Sequence, residues 1–252
     1  MMIWAMLACG GGPDEEVVEP LTREELMDPA SCKECHPDHY REWSGSMHAY
    51  AAEDPIFLAM EQRGQEETGG DLGTFCVDCH APLAVSEGYV EKGADLADAP
   101  EHLKGITCYF CHQVVDVTDT HNNPLVLASD RTFRAGIRDP VDAGAHESEW
   151  SALHDRGEHR SAELCGSCHD IVTDADVHLE RTYLEWQDSL YSDPNGVFGL
   201  TCGECHMRGR DGTAANVDGM ELRRVHEHTF AGVDVALTAF PQAEEQLSAI
   251  QD

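Results

Sequence analysis

The stretch Cys32-Lys33-Glu34-Cys35-His36 is the first of five copies of one pattern, Cys-x-x-Cys-His, in a chain of 252 residues. The pattern takes up ten of the 11 cysteines. Side chains three and four residues apart are neighbours on a helix, so the spacing places both Cys and the His on one face of a helical turn. Numbered in chain order, motifs 1 to 5 are residues 32–36, 76–80, 108–112, 165–169 and 202–206.

The repeated pattern is typical of c-type haem attachment. Two thiols can bond the porphyrin edge while the adjacent imidazole reaches the iron. Structural zinc fits less well, because a zinc site takes four ligands and does not require a His after each second Cys, and five units leave one unpaired. Five redox-active dithiols in one chain would be unusual. The sequence therefore predicts five haem c groups, each with one iron.

The motifs assign the covalent and proximal positions directly. The predicted thioether cysteines are Cys32, Cys35, Cys76, Cys79, Cys108, Cys111, Cys165, Cys168, Cys202 and Cys205. The predicted proximal iron ligands are His36, His80, His112, His169 and His206.

The second axial ligand decides what each haem can do, and ten histidines outside the motifs could supply it. That number is twice what five bis-His haems require. The predicted distal ligands are His48, His102, His146, His154 and His228, with His121 and His226 as alternatives. The other three histidines, His39, His159 and His178, are predicted to face solvent. Ligation by Met47, Met60, Met207 or Met220 is a further alternative that the supply of histidines disfavours.

Composition excludes several function classes. Acidic residues outnumber basic ones 48 to 16, which gives a formal net charge of −32. A chain of this charge lacks the basic footprint that nucleic acids or anionic lipids require. No run of 18 apolar residues occurs, so the sequence predicts no membrane-spanning helix. Only 7% of the residues are aromatic, and porphyrin rings are expected to fill the core that aromatic side chains do not.

The N-terminal residues predict export. An apolar segment runs from Met1 to Cys9, the one cysteine outside the motifs, and a glycine-rich and acidic stretch follows. A short apolar segment ending in a small residue and Cys is similar to a bacterial lipoprotein signal, with Cys9 lipidated. The alternatives are a soluble exported protein or a free Cys9 thiol. We expect residues 1–29 to be signal and tether, and residues 30–252 to form one pentahaem domain whose C-terminus is truncated.

The predicted fold class is mainly α with much irregular structure and one small β-hairpin, organised around stacked haems. Hydrophobic periodicity and first-turn prolines predict helices over residues 37–52, 55–63, 147–153, 181–191 and 241–251. Apolar runs on either side of an Asn-Asn-Pro turn predict a hairpin over residues 114–117 and 125–127. Glycine-rich residues 69–70 and 209–212 are predicted to be loops.

Residues 35–49 resemble the opening of the multihaem c-type cytochromes of the cytochrome c-554 and hydroxylamine oxidoreductase superfamily, and the likeness covers most of residues 30–240. Similar segments are residues 146–170, 180–186, 201–207 and 226–232. In this group a Trp-x-x-Ser-x-His element, here Trp43 to His48, supplies a distal ligand to a different haem. The resemblance implies a mostly helical fold with haems stacked in pairs. No Cys-x-x-Cys-Lys motif occurs, so the Lys-ligated catalytic haem of pentahaem nitrite reductases is not expected.

Seven of the 13 arginines lie in two zones of the chain. They are Arg131, Arg134, Arg138, Arg208, Arg210, Arg223 and Arg224. Guanidinium groups could pair with haem propionates, which are carboxylates. The alternative is an ordinary solvated surface.

Two function classes follow from these observations. The first is electron transfer along five mostly bis-His haems between periplasmic or outer-membrane redox partners, in a respiratory role. Such partners would dock through basic surfaces, since the chain is strongly acidic. The second class is an enzyme in which one five-coordinate haem acts on a small nitrogen or sulfur compound. In that case a histidine such as His159 or His178 could donate protons.

Overall fold

The computed structural model describes residues 19–141 and 144–251 of the chain. The predicted lipidation site, Cys9, and most of the predicted tether lie outside the described residues. Within the described ranges, eleven short α-helices, four 3-10 helices and eight short strands are joined by irregular segments. The predicted fold class, mainly helical with much irregular structure, is confirmed.

The helices are short, and four of the five motifs end in or next to one of them. The α-helices are α1 (Arg23–Met27), α2 (Pro37–Ser44), α3 (Met47–Tyr50), α4 (Pro55–Thr68), α5 (Val77–His80), α6 (Pro82–Ser86), α7 (Cys108–His112), α8 (Ser161–Gly166), α9 (Thr182–Gln187), α10 (Cys202–His206) and α11 (Ala243–Gln251). The 3-10 helices are Pro29–Cys32, Gly93–Asp98, Glu101–Leu103 and Leu190–Ser192.

The strands form four separate two-stranded ladders in the described part of the chain. They are β1 (Val114–Val117), β2 (Leu125–Leu127), β3 (Thr132–Ala135), β4 (Glu147–Trp150), β5 (Ile171–Val172), β6 (His178–Glu180), β7 (Gly209–Gly212) and β8 (Arg223–His226). The predicted hairpin is confirmed as the antiparallel pair β1–β2. The pairs β5–β6 and β7–β8 are also antiparallel, whereas β3 and β4 are parallel.

Local sequence signals explain where the helices begin. At α4, the Asp54 side chain accepts hydrogen bonds from the N–H groups of Ile56 and Phe57, and Pro55 occupies the first helical position. The helix ends at Gly69, whose φ of 63° lies in the left-handed region that glycine adopts without strain. Thr107 and Thr201 cap the helices of motifs 3 and 5 in the same way as Asp54 caps α4. These caps orient the motif helices at their first turn.

The helix predicted over residues 147–153 is wrong. Residues Glu147–Trp150 form β4, which pairs with β3 in parallel register. Exposure alternates along β4, with Glu147 and Glu149 exposed and the residues after each of them half-buried. The stretch therefore has period two, and pairing with a distant strand outweighs its local helical pattern.

Two further predictions need correction. The glycine-rich segment 209–212 is strand β7 and not a loop, because ladder hydrogen bonds use the backbone and need no side chain. The helix predicted over residues 37–52 is broken into α2 and α3 at Gly45 and Ser46, where the Ser46 side chain starts a new cap. Helix α4 runs beyond its predicted end to Thr68, and the segment predicted at 181–191 divides into α9 and a 3-10 turn.

One aliphatic and aromatic cluster forms the main protein core, and it lies in the first half of the chain. Its fully buried members include Leu26, Val77, Leu83, Leu103 and Tyr109. Motifs 2 and 3 contribute to this cluster directly, through Val77, Tyr109 and Phe110. The core therefore fixes the positions of α5 and α7 relative to each other.

A close contact joins α9 to motif 4. Gly166, at the second position of that motif, faces the ring of Tyr183, and a Cβ built on Gly166 would lie 2.3 Å from Tyr183 Cγ. Tyr183 is buried, stacks on Trp186 and donates its backbone N–H to the His169 carbonyl oxygen at 2.9 Å. Only a glycine lets the ring lie against the motif backbone at this distance.

We therefore predict that Gly166→Ala destabilises the haem-loaded protein by about 1–3 kcal/mol, because the added methyl group overpacks the contact with Tyr183. Urea denaturation followed by circular dichroism measures the loss. The matched control is Gly232→Ala, since a Cβ there meets no atom within 4 Å. Equal stability of the two variants would show that the Tyr183 contact does not constrain position 166.

Candidate haem sites

All five motifs adopt the helical turn that their spacing predicts. In motifs 1, 2 and 4, the His backbone N–H donates to the carbonyl oxygen of the first Cys at 2.8, 3.2 and 3.0 Å. Motifs 3 and 5 lie entirely within α7 and α10. The two Cys and the His of each motif therefore project from one side of a turn.

The motif histidines share one hydrogen-bonding arrangement that prepares them to bind a metal. In each imidazole, Nδ1 contacts an oxygen of a residue outside the motif. The partners are the backbone oxygens of Ala214 for His36 (2.8 Å), Ala51 for His80 (2.8 Å), Arg134 for His112 (2.6 Å) and Ala231 for His206 (2.9 Å), and Glu180 Oε1 for His169 (3.1 Å). A carbonyl or carboxylate oxygen accepts, so Nδ1 carries the proton and Nε2 keeps a free lone pair.

Three of the predicted distal ligands have ring centres 6.1 to 6.3 Å from those of motif histidines. A ligating imidazole nitrogen lies about 2 Å from its metal, so two imidazoles on opposite sides of one metal have ring centres roughly 6 Å apart. The ring centres of His36 and His146 are 6.1 Å apart, those of His112 and His228 are 6.3 Å apart, and those of His48 and His169 are 6.3 Å apart. The donor sets at motifs 1, 3 and 4 therefore fit a metal with two axial imidazoles.

His48 lies at the start of α3 and has the surroundings of a ligand. Its Nδ1 is buried and has no hydrogen-bond partner among the described residues. Burial lowers the pKa of His48 to about 3, so the imidazole is neutral at physiological pH. A neutral imidazole with an unused buried nitrogen is costly unless a ligand occupies it.

His146 and His228 are oriented by their own neighbours. The Nδ1 atom of His146 donates to the Glu147 carbonyl at 2.9 Å, and Nδ1 of His228 donates to the His226 carbonyl at 2.9 Å. Both rings consequently keep Nε2 as the free nitrogen. Burial lowers the pKa of His228 well below its usual value.

The backbone of His228 is held by a buried carboxylate. Glu42 of α2 accepts the His228 N–H at 3.0 Å through Oε2. Its other oxygen pairs with Arg210 at 3.3 Å. The Glu42 side chain is only 5% exposed, so this interaction is shielded from water and ties β7 and the His228 segment to the helix that follows motif 1.

His154 is a second neighbour of His112, with ring centres 5.6 Å apart. Its Nε2 is hydrogen-bonded to the Cys111 carbonyl oxygen at 2.7 Å, and its buried Nδ1 has no partner in the described residues. Two of the predicted distal ligands, His154 and His228, therefore approach the same motif histidine. His228 leaves Nε2 free, whereas His154 leaves Nδ1 free.

The remaining predicted ligands are placed differently. His102 is exposed in the 3-10 helix Glu101–Leu103. His121 is half-buried and contacts the Thr120 hydroxyl through Nδ1 at 3.2 Å. His226 is half-buried, and burial lowers its pKa. The structure does not pair these three with a motif histidine through a described ring contact, and their ligand roles stay predictions.

The prediction that His39 faces solvent does not match its surroundings. Its ring centre lies 6.1 Å from that of His36 and 4.8 Å from that of His228. Burial lowers the pKa of His39 to about 4. Sequence reasoning missed this burial, because one neighbour of His39, His228, follows β8 and is almost two hundred residues away in the chain. His159 and His178 are exposed, as expected.

Contacts between thiols show which motifs are adjacent. Hydrogen bonds join the Cys32 and Cys108 thiols, the Cys79 and Cys168 thiols, and the Cys165 and Cys202 thiols. Motif 1 therefore lies beside motif 3, and motif 4 lies between motifs 2 and 5. Burial also raises the pKa of the Cys111 thiol to about 12.

Most of the clustered arginines pair with carboxylates of the chain itself. Arg134 is buried and pairs with Asp130 and Glu149 at 2.9 and 2.7 Å. Arg223 pairs with Asp139, and Arg138 pairs with Asp155 at 3.0 Å. These arginines therefore already have carboxylate partners within the chain, and their pairing with haem propionates stays a prediction.

Comparisons with known proteins show a likeness to c-type cytochromes. Residues 31–113, which hold motifs 1 to 3, match the family model for cytochrome c554 and c-prime. No curated protein matches the chain in sequence. In the described part of the chain, no helix is both long enough and apolar enough to cross a membrane.

A solved structure, the penta-haem cytochrome c552 from Thermochromatium tepidum, is similar in fold, with a TM-score of 0.52 and 22% sequence identity. The match covers 84% of this chain and 57% of that structure. This chain thus spans little more than half the length of the protein it matches. The chain is similar to multihaem c-type cytochromes in sequence over motifs 1 to 3 and in fold over most of its length, and the predicted resemblance is confirmed.

Proposed function

We propose that this chain binds five haem c groups and passes electrons along them. The main support for this proposal is the hydrogen bonding that all five motif imidazoles have in common. In each of them Nδ1 is hydrogen-bonded to an oxygen and Nε2 is free. Haem iron supplies one-electron redox chemistry when it is bound at such a nitrogen. The ten motif cysteines would hold the porphyrins by thioether bonds.

The path of electrons follows from motif adjacency. The thiols of motifs 1 and 3 interact, as do those of motifs 2 and 4 and those of motifs 4 and 5. Porphyrins bonded at these cysteines would therefore have neighbouring edges. The thiols of motif 4 also interact with Cys111 of motif 3, so motif 4 adjoins motifs 2, 3 and 5 and is the branch point of this arrangement. No acid-base catalyst is needed for conduction along such a path.

Axial ligation supports a carrier over an enzyme. His146, His228 and His48 would supply second imidazoles to irons held at motifs 1, 3 and 4. Irons with two imidazoles have no open position for a substrate. The alternative is an enzyme with one open haem acting on a small nitrogen or sulfur compound. The open haem of such an enzyme would lie at motif 2 or motif 5. At motif 2, the described ring contact of His80 is with Phe57 and not with a second histidine.

We further propose an exported protein, in the periplasm or at the outer membrane, with Cys9 as a lipid anchor. Its redox partners would dock through basic surfaces, since the chain carries a formal charge of −32. Both the electron donor and the electron acceptor would be proteins with a basic docking surface.

Replacing His48 with Ala should convert one haem from low spin to high spin, because the iron at motif 4 would lose its second imidazole. Electron paramagnetic resonance of the oxidised protein measures the change. The control variant is His159→Ala, in which an exposed imidazole bonded to the Ser192 carbonyl is removed and all five haems stay as in the parent protein. An unchanged spectrum for His48→Ala would remove His48 from the ligands.

The parent protein should contain five haems per chain by the pyridine haemochrome assay and show only low-spin signals when oxidised. A count below five contradicts the attachment assignment. A stoichiometric high-spin signal that shifts on addition of hydroxylamine, nitrite or sulfite supports the enzyme and contradicts the carrier. The two measurements thus test haem number and haem accessibility separately.

The reaction rates of a cationic and an anionic redox reagent should respond in opposite directions to salt, because the protein surface is acidic. Oxidation of the reduced protein by hexaammineruthenium(III) should slow by about tenfold between about 10 mM and about 500 mM salt, because screening weakens attraction of the cation. Oxidation by ferricyanide should accelerate over the same range. Stopped-flow absorbance measures both rates. The same salt dependence for both reagents would contradict steering by net charge.

A further inference from the structure

One motif histidine is anchored differently from the other four. His36, His80, His112 and His206 donate Nδ1–H to backbone carbonyl oxygens, whereas His169 donates to the carboxylate of Glu180 at 3.1 Å. A carbonyl oxygen carries a partial charge, but a carboxylate carries a full one. The difference affects motif 4, the branch point of the array.

The fold delivers Glu180 to this position through a hairpin that starts directly after the motif. Strands β5 and β6 pair Ile171 with Glu180, and the turn between them is tight enough to hold Asp176 at a φ of 58°. The Thr182 hydroxyl donates to Glu180 Oε1 at 3.0 Å, which fixes the same oxygen that accepts from His169. Glu180 is therefore oriented by its ladder partner and by a second donor, and the contact is not a loose surface pair.

A carboxylate acceptor changes the electron density on the ring. A hydrogen bond to an anion is stronger than one to a neutral oxygen, and it draws the Nδ1 proton away from the imidazole. The ring then becomes a more basic ligand, which favours the ferric over the ferrous state of an iron bound at Nε2. The Glu180 side chain is 37% exposed, so water screens its charge only in part.

We infer that Glu180 is a positioning residue for His169 that makes the haem at motif 4 harder to reduce than it would be with a backbone partner. The inference rests on the proposed function, since it requires haem at motif 4. The branch point would then release its electron more readily than an otherwise equal haem anchored by a carbonyl. Electrons would reside on the neighbours of motif 4 and cross it without accumulating there.

The test is a redox titration of the haem-loaded protein carrying Glu180→Gln, followed by absorbance. Glutamine keeps an oxygen that can accept from Nδ1 and removes the charge. One of the five one-electron steps should become easier by about tenfold in its reduction equilibrium, which is about 59 mV. Glu180→Asp keeps the charge and should leave that step closer to the parent value.

The matched control is Glu185→Gln, which removes an exposed carboxylate of α9 from the same region. It should shift no step as strongly as Glu180→Gln does. A uniform small shift of all five steps in both variants would overturn the inference and leave the electron-transfer function intact. A haem count of four in the parent, with motif 4 unmodified by mass spectrometry, would instead contradict both the inference and the proposed function.

Discussion

The structure depends on one repeated hydrogen bond, from the Nδ1–H of a motif imidazole to an oxygen outside its motif. This bond fixes the ring orientation and the position of the proton together, and it leaves the other nitrogen with a free lone pair. Because the acceptors come from other segments, each bond also ties a motif to a different part of the chain. The His36 acceptor, Ala214, is 178 residues away. Each of these contacts therefore stabilises the tertiary structure and also leaves one imidazole nitrogen able to bind a metal.

The packing of the described residues differs between the two halves of the chain. The difference follows the positions of the motifs. The apolar cluster lies between Leu26 and Phe110 and includes motifs 2 and 3. In the second half, the buried apolar residues Leu153, Ala162, Tyr183 and Val225 stand apart from that cluster, and two-stranded ladders take the place of a continuous core. Those ladders carry the ligand-positioning residues Arg134, Glu147 and Glu180. The second half of the chain is thus organised around residues that accept hydrogen bonds from the candidate ligand histidines.

Much of the architecture could be predicted from sequence, because the information is local. The motif turns, the Asp54 cap with Pro55, and the β1–β2 hairpin all follow from neighbouring residues. The two errors over strands have one cause. Strand β4 pairs with β3, and β7 pairs with β8, through backbone groups that leave no mark in the side-chain pattern. The site divides in the same way: the motif histidines stand out in the sequence, whereas their carbonyl acceptors and the burial of His39 arise only from the folded chain. Glu180 follows motif 4 by eleven residues, but nothing in its sequence neighbourhood distinguishes it from 47 other acidic residues.

The thiol contacts between motifs also bear on biogenesis. In the oxidising compartment proposed for this protein, thiols held side by side tend to become disulfides. Folding ahead of maturation would bring Cys32 to Cys108 and Cys79 to Cys168, each in a different haem motif. Such cross-links would block two porphyrin sites at once, and burial would leave Cys111 in its unreactive protonated form. Under the proposed function, the cofactor would therefore have to be attached while the polypeptide is still open, and final folding would have to follow it.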